Sequence, residues 1–293
     1  MKLIRFGPDG NERPGVLVDD ATFVDVGDLV YDFGETFFAQ ELIHQVSDAV
    51  TERVKAGRVR SLAGVRLGAP ISRPHQIICI GLNYVDHAVE AGMDLPTEPL
   101  VFTKSPNTIS GPFDSIPLPP NSTHTDWEVE IGVVIGRRCS YLSSPADAGD
   151  YIAGYVLVND VSERHHQLDR GGQWTKGKSH PRFNPCGPWL ATPDEFQDPG
   201  NVRLWLDVNG DRQQDGTTAD MVFGFPAIVH YLSQFMTLEP GDLINTGTPA
   251  GVGLAKSPQH FLSPDDVVTL GADGLGQQRL RVVATPDHGK DPV

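Results

Sequence analysis

The chain has 293 residues, 39% hydrophobic and 21% charged, with 31 glycines and 24 prolines, a composition that excludes a disordered chain and points to a turn-rich globular fold with more strand than helix. Its 38 acidic residues outnumber 23 basic ones, for a net charge of −15, so its surface repels phosphate backbones and anionic lipid, and neither nucleic acid nor membrane is an expected partner. The odd, widely spaced Cys79, Cys139 and Cys186 fit neither a disulfide framework nor a zinc module, and the start of the chain carries Arg5, Asp9 and Glu12 in place of an apolar signal core, so a reducing cytoplasm is the expected compartment.

Residues 1 to about 65 read as a small α+β unit. Three short strand signals, Lys2 to Phe6, Pro14 to Val18 and Thr22 to Val26, are separated by turn residues, and Phe38 to Ala56 has helical spacing. This segment holds no convergent polar cluster and reads as a structural or dimer-supporting appendage. Between Leu67 and Gln76 the composition shifts to Gly, Pro, Ser and Arg, which places a junction there and divides the chain into an N-terminal domain, 1–68, and a second domain, 69–293.

The second domain opens with the apolar run Ile77 to Leu82, a buried strand, and then a short helix that Gly92 stops. His87 and Glu90 lie three apart on that helix, so a carboxylate can orient an imidazole as it would for a general base; a solvated surface pair is the alternative. Residues 94–125, rich in Pro, Ser, Thr and Asn, read as a loop region.

The stretch from Asp126 to Ile135 alternates strictly. Trp127, Val129, Ile131, Val133 and Ile135 occupy one face, and Glu128 and Glu130 share the other. Cα atoms two apart on a strand lie roughly 6.6 Å apart, so the two carboxylates can converge on one cation, with Mg²⁺ or Mn²⁺ fitting an all-oxygen pair better than zinc; a wet strand face is the alternative. Asp160, at the tip of the apolar strand that begins near Tyr151, is placed either as a third oxygen ligand or as a helix N-cap. A polar, glycine-bracketed segment follows from Val161 to His180, in which the neighbouring His165 and His166 diverge on a helix and make a poor zinc pair. Further on, Asn209-Gly210 marks a hairpin, Phe225 to Met236 a helix, and Gly247 to Gly253 a glycine-rich loop whose backbone N–H groups can cradle a carboxylate.

Taken in order, Gly81-Leu82-Asn83-Tyr84 with His87 and Glu90, Asp126-Trp127-Glu128-Val129-Glu130, Asn159-Asp160-Val161-Ser162, Gly177-Lys178, Pro240-Gly241-Asp242 and Thr246-Gly247-Thr248-Pro249-Ala250-Gly251-Val252-Gly253 resemble the motifs of the fumarylacetoacetate hydrolase family over about residues 75–283. The resemblance implies a β-rich α+β fold, a mixed β-sandwich roll with a small N-terminal α+β domain, in a homodimer. It implies one Mg²⁺ or Mn²⁺ on Glu128, Glu130 and Asp160, with His87 and Glu90 as the water-activating pair and Lys178 holding substrate oxygens. Tyr84, Arg164, Gln167 and Thr248 would lie near the carboxylate of a small anionic 2-oxo acid. Glu163, Gln167-Leu168 and Arg170 to Trp174 look like the branch of 2,4-diketo-3-deoxy-sugar-acid hydrolases and ureidoglycolate lyases. One departure concerns Pro181-Arg182-Phe183, which stands where the family has Asp-Thr-Phe and brings a cation, Arg182, toward the substrate.

The implied activity is hydrolysis of a carbon–carbon bond in a 2,4-dioxo acid. An oxaloacetate-type decarboxylase, a 2-hydroxydienoate isomerase or a ureidoglycolate lyase are the alternatives on the same site, and a catalytically inactive divalent-ion-binding dimeric scaffold is the alternative of another class.

Overall fold

The computed structural model of the chain describes residues 1–285. Its centre is the strand Val129–Ile135, buried along its whole length. The alternation is realised as two packed faces: Val129, Ile131, Val133 and Ile135 enter one core, whereas Val134 enters another on the opposite side. Regular pairing begins only at Val129, because Thr125–Asp126 leaves to form a small ribbon with Ser162–Glu163.

A twelve-stranded mixed sheet contains this strand. In spatial order it runs Arg60–Ser61, Thr22–Asp25, Arg13–Leu17, Lys2–Phe6, Asn184–Ala191, Ile152–Asn159, Val129–Ile135, Leu243–Asn245, Ile77–Gly81 and Leu100–Lys104, with Leu67–Gly68 and Ile109–Ser110 attached beside it. The N-terminal strands thus extend the same sheet, since Lys2 and Leu3 pair antiparallel with Ala191 and Leu190. The expected junction after residue 68 follows directly on Leu67–Gly68, itself paired to Arg5 and Phe6.

A second sheet of five strands, Asp211–Thr217, Arg203–Val208, Val267–Ala272, Gly276–Ala284 and Ile116–Leu118, covers one face of the first. Leu204, Leu206, Val268, Leu270 and Leu280 meet Ile131, Val133 and Leu157 in one continuous core. The strand-rich α+β architecture expected from the sequence is therefore present. The Asn209-Gly210 turn closes the hairpin between Val208 and Asp211, with both turn residues at positive φ, 54° and 89°, as a two-residue hairpin loop requires.

On the other face, the N-terminal helices close the second core. The helix expected from Phe38 to Ala56 is two helices, Glu35–Ala39 and Ile43–Lys55, broken where Glu41 takes a φ of 52°. The break lets Phe37, Phe38 and Val46 reach the same core as Val134, Val156 and Leu243. Among the described residues no helix is long and apolar enough to cross a membrane.

Candidate active site

Strand pairing brings the acidic residues together. Val129 lies opposite Asn159, so Asp160, one residue beyond, falls beside Glu128. Its N–H donates to the Glu128 carbonyl at 2.9 Å, and the Asn159 side chain accepts the Glu128 N–H at 3.0 Å. Carboxylate oxygens of Glu128, Glu130 and Asp160 all lie within 4.8 Å of one another, and all three residues are buried. That burial rules out the wet strand face.

The basic groups around this triad set its ionisation. Lys178 Nζ donates to Glu128 at 2.8 Å and to Asp160 at 2.9 Å. Arg164 Nε donates to Asp126 at 2.8 Å, and its Nη1 pairs with Glu128 at 2.7 Å. Burial opposes the charge on Glu128, but Lys178 and Arg164 outweigh it and hold the carboxyl at about 2. Glu130 goes the other way. Burial first, then the charges of Asp160 and Glu128, push it well above the usual carboxylate range, and one backbone donor, Gly247 N–H at 2.8 Å, works against this. For Lys178 the cost of burial is exceeded by Asp160 and Glu128, which keep the ammonium charged.

Three hard oxygen donors with excess negative charge match what a divalent cation of the Mg²⁺ or Mn²⁺ type needs, so the residues fit the implied metal. Among the described residues no other group of three or more His, Cys, Asp or Glu side chains is gathered this way.

Two glycines make the arrangement possible. A Cβ at Gly177 would sit 2.4 Å from the Glu163 carbonyl and 2.5 Å from the Gln167 nitrogen, so only glycine lets the short helix Thr175–Lys178 press Lys178 inward. Gly247, at φ +102°, would put a Cβ 2.7 Å from Asn83. The loop it belongs to does cradle carboxylates, and they are the protein's own: Gly247 N–H donates to Glu130, Gly251 N–H to Glu90 at 2.9 Å, and Gly253 N–H to Asp126 at 2.7 Å.

His87 and Glu90 stand on the helix Val85–Glu90, with Nδ1 and Oε2 3.4 Å apart. Burial raises the Glu90 pKa, but the hydrogen bonds from His87 and Gly251 prevail and the net shift is downward, so this carboxylate stays ionised beside the ring. One cavity of about 390 Å³ is lined by His87, Glu90, Glu128, Glu130, Arg164, Gln167, Lys178 and Thr248. Gln167 accepts from Arg164 Nη1 at 3.0 Å, and Arg164 Nη2 is buried in the cavity wall with no protein partner among the described residues.

Two expected substrate contacts are placed elsewhere. Arg182 does not join the cavity, because its guanidinium turns outward to the Asp9 carboxylate at 2.9 Å and remains 40% exposed. Tyr84 is fully buried in the core, its hydroxyl without a hydrogen-bond partner among the described residues.

Sequence reasoning also missed three residues. Lys104, fully buried, donates to Asp160 and to the carbonyls of Val161 at 3.1 Å and Phe183 at 2.7 Å. Asp126 fixes Arg164, and Gln214 joins the Val129 N–H to the Thr248 hydroxyl and the Pro249 carbonyl. A lysine ending an apolar strand was the available signal for Lys104; nothing local marked Gln214.

The fold and site define a strand-rich α+β scaffold built around a buried carboxylate triad, two of whose members, Glu128 and Glu130, line one cavity with the histidine–glutamate pair. The chain belongs to the fumarylacetoacetate hydrolase family, with residues 76–283 matching the fumarylacetoacetate (FAA) hydrolase C-terminal family. A Burkholderia ambifaria protein, provisionally named a hydrolase, is 49% identical over 95% of this chain and 97% of its own length. The 2-hydroxyhepta-2,4-diene-1,7-dioate isomerase of Mycobacterium marinum superposes with a TM-score of 0.75 at 34% identity, over 98% of this chain and 100% of that one. The maleylpyruvate hydrolase of Sphingobium sp. SYK-6, in complex with manganese(II) ion and pyruvate, gives 0.80 at 27% identity over the same shares, 98% and 100%.

Proposed function

We propose that the chain is a divalent-metal-dependent hydrolase that cleaves the carbon–carbon bond of a 2,4-dioxo acid to give pyruvate and a carboxylic acid. The observation that carries this reading is the presence of His87, held by Glu90, in the cavity that Glu128 and Glu130 of the triad and Lys178 also line; holding a cation alone requires no oriented base. The manganese and pyruvate in the Sphingobium hydrolase support the same substrate half and cofactor class.

A cation on Glu128, Glu130 and Asp160 supplies Lewis acidity toward the oxygens of the 2-oxo acid. The unpartnered Nη2 of Arg164, with Gln167 beside it, meets the substrate carboxylate. Glu90 on Nδ1 leaves Nε2 of His87 free to accept a proton from water, whose oxygen adds to the C4 carbonyl. The C3–C4 bond then breaks, its electron pair passing to the pyruvate enolate, and Lys178 stabilises that developing negative oxygen. A proton returned to C3 completes pyruvate, while the departing acid keeps one oxygen from water.

The isomerase from Mycobacterium marinum supports a second reading, proton transfer within a 2-hydroxydienoate, which needs no water nucleophile. Incubation with Mg²⁺, a panel of 2,4-dioxo acids and 2-hydroxydienoates, and ¹⁸O-labelled water separates the two. Hydrolysis releases pyruvate and puts one labelled oxygen in the other acid. Turnover with no carbon–carbon cleavage and no label in the product overturns the hydrolase reading.

A further inference from the structure

The cavity wall combines ionic and apolar groups. Its ionic groups are tied to one another, Lys178 by Glu128 and Asp160, and Arg164 by Asp126 and Glu128. Most of the uncharged lining is apolar, including Leu82, Met93, Leu168, Trp174 and Leu254, with Gln167 and Thr248 as its polar members. Among the described lining residues the only basic groups are Arg164, Lys178 and His87, each facing a carboxylate.

Trp174 is a built part of this wall. Its ring packs edge-on against Phe102 with centroids 5.3 Å apart. It also lies over Gly81, where a Cβ would come within 2.8 Å of the ring. Met93 and Leu168 at the rim are 55% and 41% exposed, apolar surface that a ligand would cover.

We infer that this wall is a subsite for an uncharged, apolar acyl group, so that the substrate is a 2,4-dioxo acid carrying an alkyl or aryl tail on C4. The inference rests on the proposed 2,4-dioxo acid chemistry and narrows it. A second carboxylate on the tail would be desolvated against Leu82, Trp174 and Leu254, while the basic lining groups His87, Arg164 and Lys178 already face carboxylates. The hydroxyls of a diketo-deoxy-sugar acid would give up water for aliphatic side chains that neither donate nor accept hydrogen bonds, with the Trp174 indole N–H as a single donor beside them. An alkyl chain or phenyl ring loses nothing there and buries apolar area against an aromatic face. The wall therefore argues against the sugar-acid branch that the motif from Glu163 to Trp174 resembles.

Calorimetry on the Mg²⁺-loaded full chain tests the subsite without turnover, using pyruvate, 4-phenyl-2-oxobutanoate and 2-oxoadipate. The phenyl compound is expected to bind about tenfold or more tighter than pyruvate, and the dicarboxylate no tighter than pyruvate. Hydrolysis of 4-phenyl-2,4-dioxobutanoate should exceed that of 2,4-dioxoheptanedioate and of a dihydroxylated 2,4-dioxo acid by a similar factor in kcat/KM. Leu168→Arg, a change at an exposed position, should raise kcat/KM for the dicarboxylate and lower it for the aryl acid. Equal or tighter binding of 2-oxoadipate than of the phenyl compound overturns the subsite alone. Aryl preference in binding with no cleavage of any dioxo acid supports the subsite and overturns the hydrolase reading. Failure of every 2-oxo acid to bind overturns both.

Discussion

Lys104 and Asp160 form an ion pair in which neither side chain has any solvent exposure. Asp160 is also a member of the triad, so its second carboxylate oxygen is oriented from behind by a lysine on a different strand. Breaking a buried pair by removing one partner leaves an uncompensated charge and costs about 3–5 kcal/mol. Lys178 still pairs with Asp160, so Lys104→Met should lower stability by up to about that amount, read from urea unfolding of the metal-free protein. Divalent-ion affinity should fall by about 10–100-fold, the usual effect of losing a group that orients a metal ligand. Unchanged unfolding and unchanged affinity would show that the pair does neither job.

Glu130 lies within 4.8 Å of the other two carboxylates, takes one N–H from Gly247 and has no lysine or arginine hydrogen-bonded to it among the described residues. Glu130→Gln removes a charge and one oxygen donor to the cation. Titration with Mg²⁺ and Mn²⁺ should show affinity falling by tens-fold or more, with activity falling in parallel. Retained affinity would mean that Glu130 is not a ligand.

His87→Ala should cut hydrolysis of a 2,4-dioxo acid by about 10²–10⁴-fold, the usual contribution of a general base, and Glu90→Gln by less. Metal affinity should survive both changes. Any oxaloacetate decarboxylation should suffer less, because it requires no attacking water. Equal losses in both reactions, or loss of the bound ion, would assign the pair a structural or ligand role.

Arg182→Thr should leave kcat, KM and metal affinity within about twofold of the parent, because the guanidinium is engaged with Asp9 at the surface and its exposed ion pair contributes little. A change in which acid is preferred would place this arginine back in the site.

His180 and His166 face each other, Nε2 to Nδ1, at 3.0 Å. Burial lowers the His180 pKa below 6.5, and the charges of His166 and Lys104 add to this against the opposing Glu163. A histidine depressed in the folded state binds fewer protons than in the unfolded state, so its contribution is complete above about pH 6.5 and is lost as pH falls through the folded value. Thermal unfolding between pH 5 and 7.5 should show stability falling on the acid side. His180→Gln should flatten that slope, and an unchanged slope would assign it to other groups.

Much of the site was legible because its signals are local. Strict alternation put Glu128 and Glu130 on one strand face, spacing by three put His87 and Glu90 on one helix face, and glycines marked the loop whose N–H groups hold Glu130 and Glu90. Those patterns follow from the fixed periods of strand and helix, which neighbouring residues alone determine. The alternating apolar residues likewise set the strand-rich class.

What the tertiary structure alone decided is which distant groups meet. Whether two acidic residues on a strand are wet or buried depends on what packs over their own face, here Lys178, Arg164 and the loop that carries Gly247. Register places Asp160 beside Glu128, while a lysine from a strand some fifty residues earlier in the chain closes behind it. The exclusion of Arg182 has the same origin. Its partner, Asp9, lies 173 residues away, and a charge four positions after Lys178 enters or leaves a cavity according to a backbone turn that no periodicity encodes, here a φ of 59°. Local period fixes which side chains share a face; long-range packing fixes what that face looks at.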